Sequence, residues 1–175
     1  MSQWLDADEH RTWRTYLRMH AQLIAALAQA LKADSDMSLA DYEVLAVLSE
    51  SPDGALRARE LRSELQWDKS RLAHQARRME QRGLVSRETC AEDARGSVVH
   101  ITESGAAAIR AAAPDHVERV RALFLAALSP AQVQGMGEVA DAVLANLAAS
   151  EFSDNATNRG GSGDAAMDEV VHGSH

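Results

Sequence analysis

A chain with one cysteine, Cys90, cannot close an internal disulfide or build a multi-cysteine zinc site. Aromatic residues are also scarce, at 4% of 175 positions, while alanine and leucine abound. That balance disfavours a β-sandwich and favours helices packed through small and γ-branched side chains, a mostly α fold. No apolar run is long enough to cross a bilayer, and the N-terminal "MSQWLDADEHR" is acidic where a signal peptide is basic and then apolar. The expected location is cytoplasmic, with no membrane partner. The chain has no glycine-rich phosphate loop, no nucleophile elbow and no H-E-x-x-H, and its one cysteine lacks an evident base. Neither an enzyme nor a bound cofactor is expected.

What the sequence does have is charge, unevenly spread. The net charge is −8, yet residues 55–96 hold ten Lys/Arg against seven Asp/Glu, while residues 1–50 hold four against eight and residues 150–175 one against five. An acidic chain with a locally cationic middle is built to meet an anion there, if those cations share a face.

Periodicity supplies the elements. Trp13, Leu17, His20, Ile24, Leu27 and Leu31 recur at spacings of four and three, one stripe on a long first helix over about 9–32. Ser38 with Asp41 three residues on reads as a capping-box start for a second helix, closed by the turn "SPDG". "ARELRSEL" is a short third helix burying Ala58, Leu61 and Leu65. Asp68 caps a fourth, with Trp67 and Leu72 as its hydrophobic staple and Gly83 as its stop. Leu72, Ala76 and Met79 then face inward. Ser70, Arg71, His74 and Arg78 face outward, with Gln75 and Arg82 at the margin.

"LVSRET" and "SVVHIT", separated by "CAEDARG", read as a β-hairpin with a longish tip. A fifth helix follows, with Pro114 as a kink point, and a sixth opens on Ser129 and Pro130 with an apolar stripe at Val133, Met136, Ala140, Val143 and Leu147. From Ser150 the sequence loses periodicity and fills with Gly, Ser, Asn and Asp, as a disordered acidic tail over 150–175 would.

A short helix, a turn, a basic-faced helix and a hairpin, in that order, make a winged helix-turn-helix. A helix about 10–12 Å across fits the major groove of B-DNA, and Arg71, His74, Gln75 and Arg78 are of types that contact base edges or phosphates. Arg95 at the hairpin tip suits the minor groove, where narrow A·T-rich segments attract arginine. Asp93 would hold that guanidinium through a charge-assisted hydrogen bond.

The run "WDKSRLAH" at Trp67–His74, then "RMEQRGLV", the wing "CAEDARG" and "ITESG" resemble a branch of the MarR-type transcriptional regulators, over about Trp13 to Leu147. Ala73 stands where that branch is expected to carry serine. The resemblance implies a winged helix-turn-helix domain over 1–149, with a DNA-binding lobe at about 38–102 and dimerisation helices at about 9–32 and 103–149. It implies a homodimer on a pseudo-palindromic operator in double-stranded DNA, acting as a repressor that a small, often phenolic, effector releases. Lys69, Ser70, Arg71, His74, Gln75 and Arg78 would serve the major groove, Arg95 and Asp93 the minor groove, and Arg57 and Ser63 nearby phosphates. Trp13, Tyr16, His20 and Asp41 would line the effector cleft.

Three other readings compete. Cys90 between Arg87 and Arg95 suggests oxidant sensing, but no second cysteine can resolve it. Seven histidines suggest zinc sensing, and His20 and His116 would meet if the first and fifth helices pack, yet no ligand spacing is present. A helical protein-interaction module without DNA binding would tolerate loss of Arg71, Arg78 and Arg95.

Overall fold

The computed structural model describes residues 4–89 and 97–160. The order of elements is α1 (Ala7–Ser35), α2 (Leu39–Glu50), β1 (Ala55–Arg57), α3 (Ala58–Leu65), α4 (Lys69–Gln81), β2 (Val85–Thr89), β3 (Ser97–Ile101), α5 (Glu103–Leu123), a 3-10 turn at Leu125–Ala127, and α6 (Pro130–Gly160). The chain divides into two units, one ending at Ala127 and one beginning at Leu128 that holds α6.

Caps set most of the boundaries. Asp6 Oδ1 accepts from the amides of Asp8 and Glu9, while Glu9 takes the Asp6 amide, so α1 starts earlier than its apolar stripe. Ser38 and Asp41 form the expected box on α2. Asp68 Oδ1 accepts from the Arg71 amide at 2.9 Å and opens α4. Gly83, at φ 71°, takes the left-handed turn that ends it. Pro114 lies inside α5 without terminating it. Ser129 and Gln132 exchange side-chain-to-amide bonds at the start of α6.

The first unit's core joins α2, α3, α4, the sheet and α5. Val44, Leu45, Leu48, Leu61 and Met79 are fully buried, with Leu31, Leu72, Val85, Val99 and Ile109 around them. Burying a side chain of this size contributes about 1.5–3 kcal/mol. Trp67 and Leu72 are both buried, as a staple requires.

The wing is part of a three-stranded antiparallel sheet in the order β1-β3-β2, where two strands were expected. Leu56 and Arg87 both pair with Val99, from opposite sides. β1 is three residues long, too short to show alternation in the sequence. The base of the wing is locked to α5. The Thr102 hydroxyl donates to the carbonyls of Gly83 (2.6 Å) and Leu84 (3.1 Å) and accepts the Gly105 amide (3.0 Å).

Both expected stripes keep large apolar side chains exposed among the described residues. On α1 only Leu27 and Leu31 are buried, while Trp13, Tyr16, Leu17 and Ile24 stay exposed. On α6, Val133, Val143 and Leu147 are exposed. The α6 helix also continues past Ser150 to Gly160, so the backbone stays helical after the apolar period fades.

Candidate nucleic-acid interface

The fourth helix divides as a helical wheel dictates, with one exception. Leu72, Ala76 and Met79 are buried, and Lys69, Ser70, Arg71, His74 and Arg78 are exposed. The exception is Gln75, expected at the outward margin but 6% exposed. Its Nε2 donates to Asp41 Oδ1 at 2.7 Å, so its amide faces α2 and is not free for a base edge. Arg82, at the outward margin, stays exposed but reaches Asp41 as well, its Nη1 donating to Asp41 Oδ2 at 2.7 Å.

Arg71 is held by its head group. Its guanidinium lies over the Trp67 ring, 4.1 Å from the centroid, a cation–π contact on a buried indole. Burial pushes the Glu43 carboxyl on α2 up, and the charge of Arg71 opposes that rise. A guanidinium so placed keeps its hydrogen-bond donors in a restricted fan, which suits planar recognition.

Beside α4 runs a groove of about 440 Å³ between α3, α4 and the sheet. Leu72, Ala76 and Val99 are among its apolar lining, and Arg57, Arg59, Arg62, Lys69 and Arg87 bring cations to it. Of these, Arg57 and Lys69 were expected at DNA from the sequence; Arg59 and Arg62 were not singled out, and Arg87 was named only as a neighbour of Cys90. Ser63 on α3 is exposed. Arg87 Nε donates to Glu80 at 2.9 Å, tying β2 to the end of α4 and holding the Glu80 carboxyl below its usual range. Arg77, also unremarked in the sequence, is exposed on α4. The signal that would have found all four is the cation count over 55–96 itself. Cys90, Asp93 and Arg95 lie outside the described residues.

The residues expected to line an effector cleft separate into two groups. Trp13, Tyr16 and His20 stack along α1, with ring centroids 5.7 and 6.1 Å apart in succession. Asp41 is 1% exposed and its carboxylate is taken up by Ser38, Gln75 and Arg82, which corrects the reading of it as a ligand-facing group. His116 has Tyr42 as its ring partner, at 4.2 Å, while His20 has Tyr16. Among the described residues no three His, Cys, Asp or Glu side chains gather as a metal centre requires.

The model of the MarR family matches residues 35–96. Sco3205 of Streptomyces coelicolor, a MarR family transcriptional regulator whose crystal structure is in complex with DNA, is 36% identical over 83% of this chain and 92% of its own, with a TM-score of 0.79. The chain belongs to the MarR family of transcriptional regulators. AbsC, a second MarR regulator of the same organism, is 34% identical over 85% of this chain and 99% of its own, with a TM-score of 0.78. At 21% identity, over 82% of this chain and 97% of that one, the S. coelicolor regulator PcaV shares the fold with a TM-score of 0.63. No curated protein matches. As a MarR-family member the chain is a DNA-binding regulator and not an enzyme.

Proposed function

We propose that this MarR regulator works as a homodimer on a pseudo-palindromic operator in duplex DNA, repressing transcription until a small effector releases it. The observation that carries the DNA reading is the row Lys69, Ser70, Arg71, His74 and Arg78, exposed on one helix beside a cation-rimmed groove in a protein of net charge −8. Arg71, His74 and Arg78 serve base edges, Lys69 and Ser70 phosphates at the groove edge, and Arg57 and Ser63 the flanking backbone. Arg95, on the connection between β2 and β3, enters the minor groove with Asp93 orienting it. Gln75 drops out of the contact set because its amide is engaged by Asp41.

The dimer reading is supported by the uncovered stripes on α1 and α6, each of which exposes large apolar side chains. Twofold symmetry then spaces the recognition helices about 34–36 Å apart, one turn of DNA. Among the described residues no helix is long and apolar enough to cross a membrane, and a DNA target agrees with the proposed cytoplasmic location. Trp13, Tyr16 and His20 offer the apolar and polar surface that an aromatic effector requires. Such an effector releases DNA only through a difference in affinity between the two dimer geometries.

Selection of tight binders from random duplexes, followed by footprinting and sedimentation, tests the reading. A two-lobed footprint with inverted half-sites and two chains per duplex is the expected result. Recovery of sequences with no common motif overturns it.

A further inference from the structure

A buried carboxylate on α2 is the most heavily engaged polar group among the described residues. Asp41 is 1% exposed and receives four side-chain or backbone donors: the Ser38 amide (3.1 Å) and hydroxyl (2.7 Å), Gln75 Nε2 (2.7 Å) and Arg82 Nη1 (2.7 Å). The first two belong to the cap of α2 itself. The other two come from α4 and its C-cap residue, and no local rule of helix formation requires them.

Their spacing matters. Gln75 and Arg82 lie seven positions apart in the chain, about two helical turns or 10 Å along the axis. Two attachments that far apart fix both the rotation of α4 about its axis and its slide along α2. Apolar packing alone is non-directional, whereas hydrogen bonds carry defined distances and angles. Replacing a buried ion pair with apolar groups is often neutral or stabilising, so a network of this kind is better suited to fixing register than to adding stability.

Arg71, His74 and Arg78 sit on the same helix, four before, one before and three after Gln75. A rotation of about 20° moves side-chain tips about 5–6 Å from the axis by about 2 Å. Hydrogen bonds to base edges tolerate only a few tenths of that.

We propose that Asp41 is a positioning residue for operator recognition, acting through Gln75 and Arg82 to set the angle and register at which α4 meets DNA, without itself touching it. This rests on the reading of α4 as the helix that enters the major groove.

The test compares the full-length parent with Asp41→Asn, which keeps size and removes the charge, and with Gln75→Met, which removes one attachment and keeps bulk. Each is measured on the duplex the parent selects from a random pool and on a scrambled duplex of the same composition, well below its melting temperature. Loss of folded protein alone weakens both duplexes equally and leaves their ratio unchanged. A register role lowers the ratio of selected to scrambled affinity about tenfold in both variants, the size of one lost base contact, and leaves scrambled binding within about twofold. The double variant should be little worse than Asp41→Asn alone, because both cut the same linkage. An unchanged ratio in either folded variant overturns the proposal. Should Asp41→Asn not fold, the ratio for Gln75→Met decides. If the parent itself shows no preference between duplexes, and Arg78→Ala behaves like the parent, the DNA reading of α4 has failed first and takes this proposal with it.

Discussion

Replacing Gly105 with alanine should damage this protein more than any comparably small change on its surface. A Cβ built at Gly105 stands 2.1 Å from the carbonyl oxygen of Leu84, 3.0 Å from its carbon and 3.1 Å from Ile101 Cγ1. An ordinary carbon–oxygen contact is about 3.3–3.6 Å, so α5 must retreat from the strand base by more than an ångström. The atom it meets is backbone and has no rotamer to yield.

That retreat strains the hydrogen bonds by which Thr102 holds the wing: its hydroxyl to the Gly83 and Leu84 carbonyls and its amide to Leu84 at 3.2 Å. Overpacking costs about 1–3 kcal/mol, and losing two of these hydrogen bonds adds about 1 kcal/mol each. A total of about 3–5 kcal/mol is a large part of the stability of a domain, and lowers its melting temperature by about 10 °C or more. Gly83→Ala is the comparison, because at φ 71° with nothing within 4 Å the added methyl meets only backbone strain, about 1–2 kcal/mol. Thermal unfolding followed by far-ultraviolet circular dichroism reads both. Melting of Gly105→Ala within about 2 °C of the parent, or a smaller loss than Gly83→Ala shows, refutes the reasoning.

Other outcomes follow from the same geometry. Burial pushes the His116 imidazole down, and its Nδ1 has no hydrogen-bond partner among the described residues. Its contribution to stability is therefore full above the ordinary histidine value and is lost as pH falls from there through the lower folded value. His116→Phe, which keeps a ring against Tyr42, should lose less stability than the parent between about pH 7 and about pH 5 in denaturant titrations. Burial raises the Asp41 carboxyl, but hydrogen bonds from Arg82 and Ser38 outweigh it and hold the group below its usual range, so its share is lost only in stronger acid. Leu45→Ala, at a fully buried position on α2, should cost about 2–5 kcal/mol in the same titrations. Trp67→Leu takes the ring from beneath Arg71 and should weaken operator binding about threefold, seen by fluorescence anisotropy, the equivalent of one cation–π contact.

Wherever structure is set by neighbours in the chain, it could be read from the residues. The caps at Ser38 and Asp68, the stop at Gly83 and the inward set Leu72, Ala76 and Met79 all depend on residues within a turn or two. What escaped depends on distant partners. Gln75 sits where a helical wheel is ambiguous, and its burial is decided by Asp41, 34 positions away. β1 has three residues and exists because β3 pairs with it. Arg59, Arg62 and Arg87 join one groove only after α3, α4 and β2 come together. The residues on the exposed face of α4 were legible; the hydrogen bonds that tie that helix to α2 were not.

The most direct test of the central claim is fluorescence anisotropy with duplexes tiled across the DNA upstream of the protein's own gene. Parent, Arg78→Ala and Arg95→Ala are compared at two salt concentrations. The account predicts tight, salt-sensitive binding to one tile, with Arg78→Ala losing its preference for that tile by about 1–3 kcal/mol and Arg95→Ala weakened as well. Uniform weak binding to every tile and to duplexes selected at random, unchanged in both variants, would contradict it.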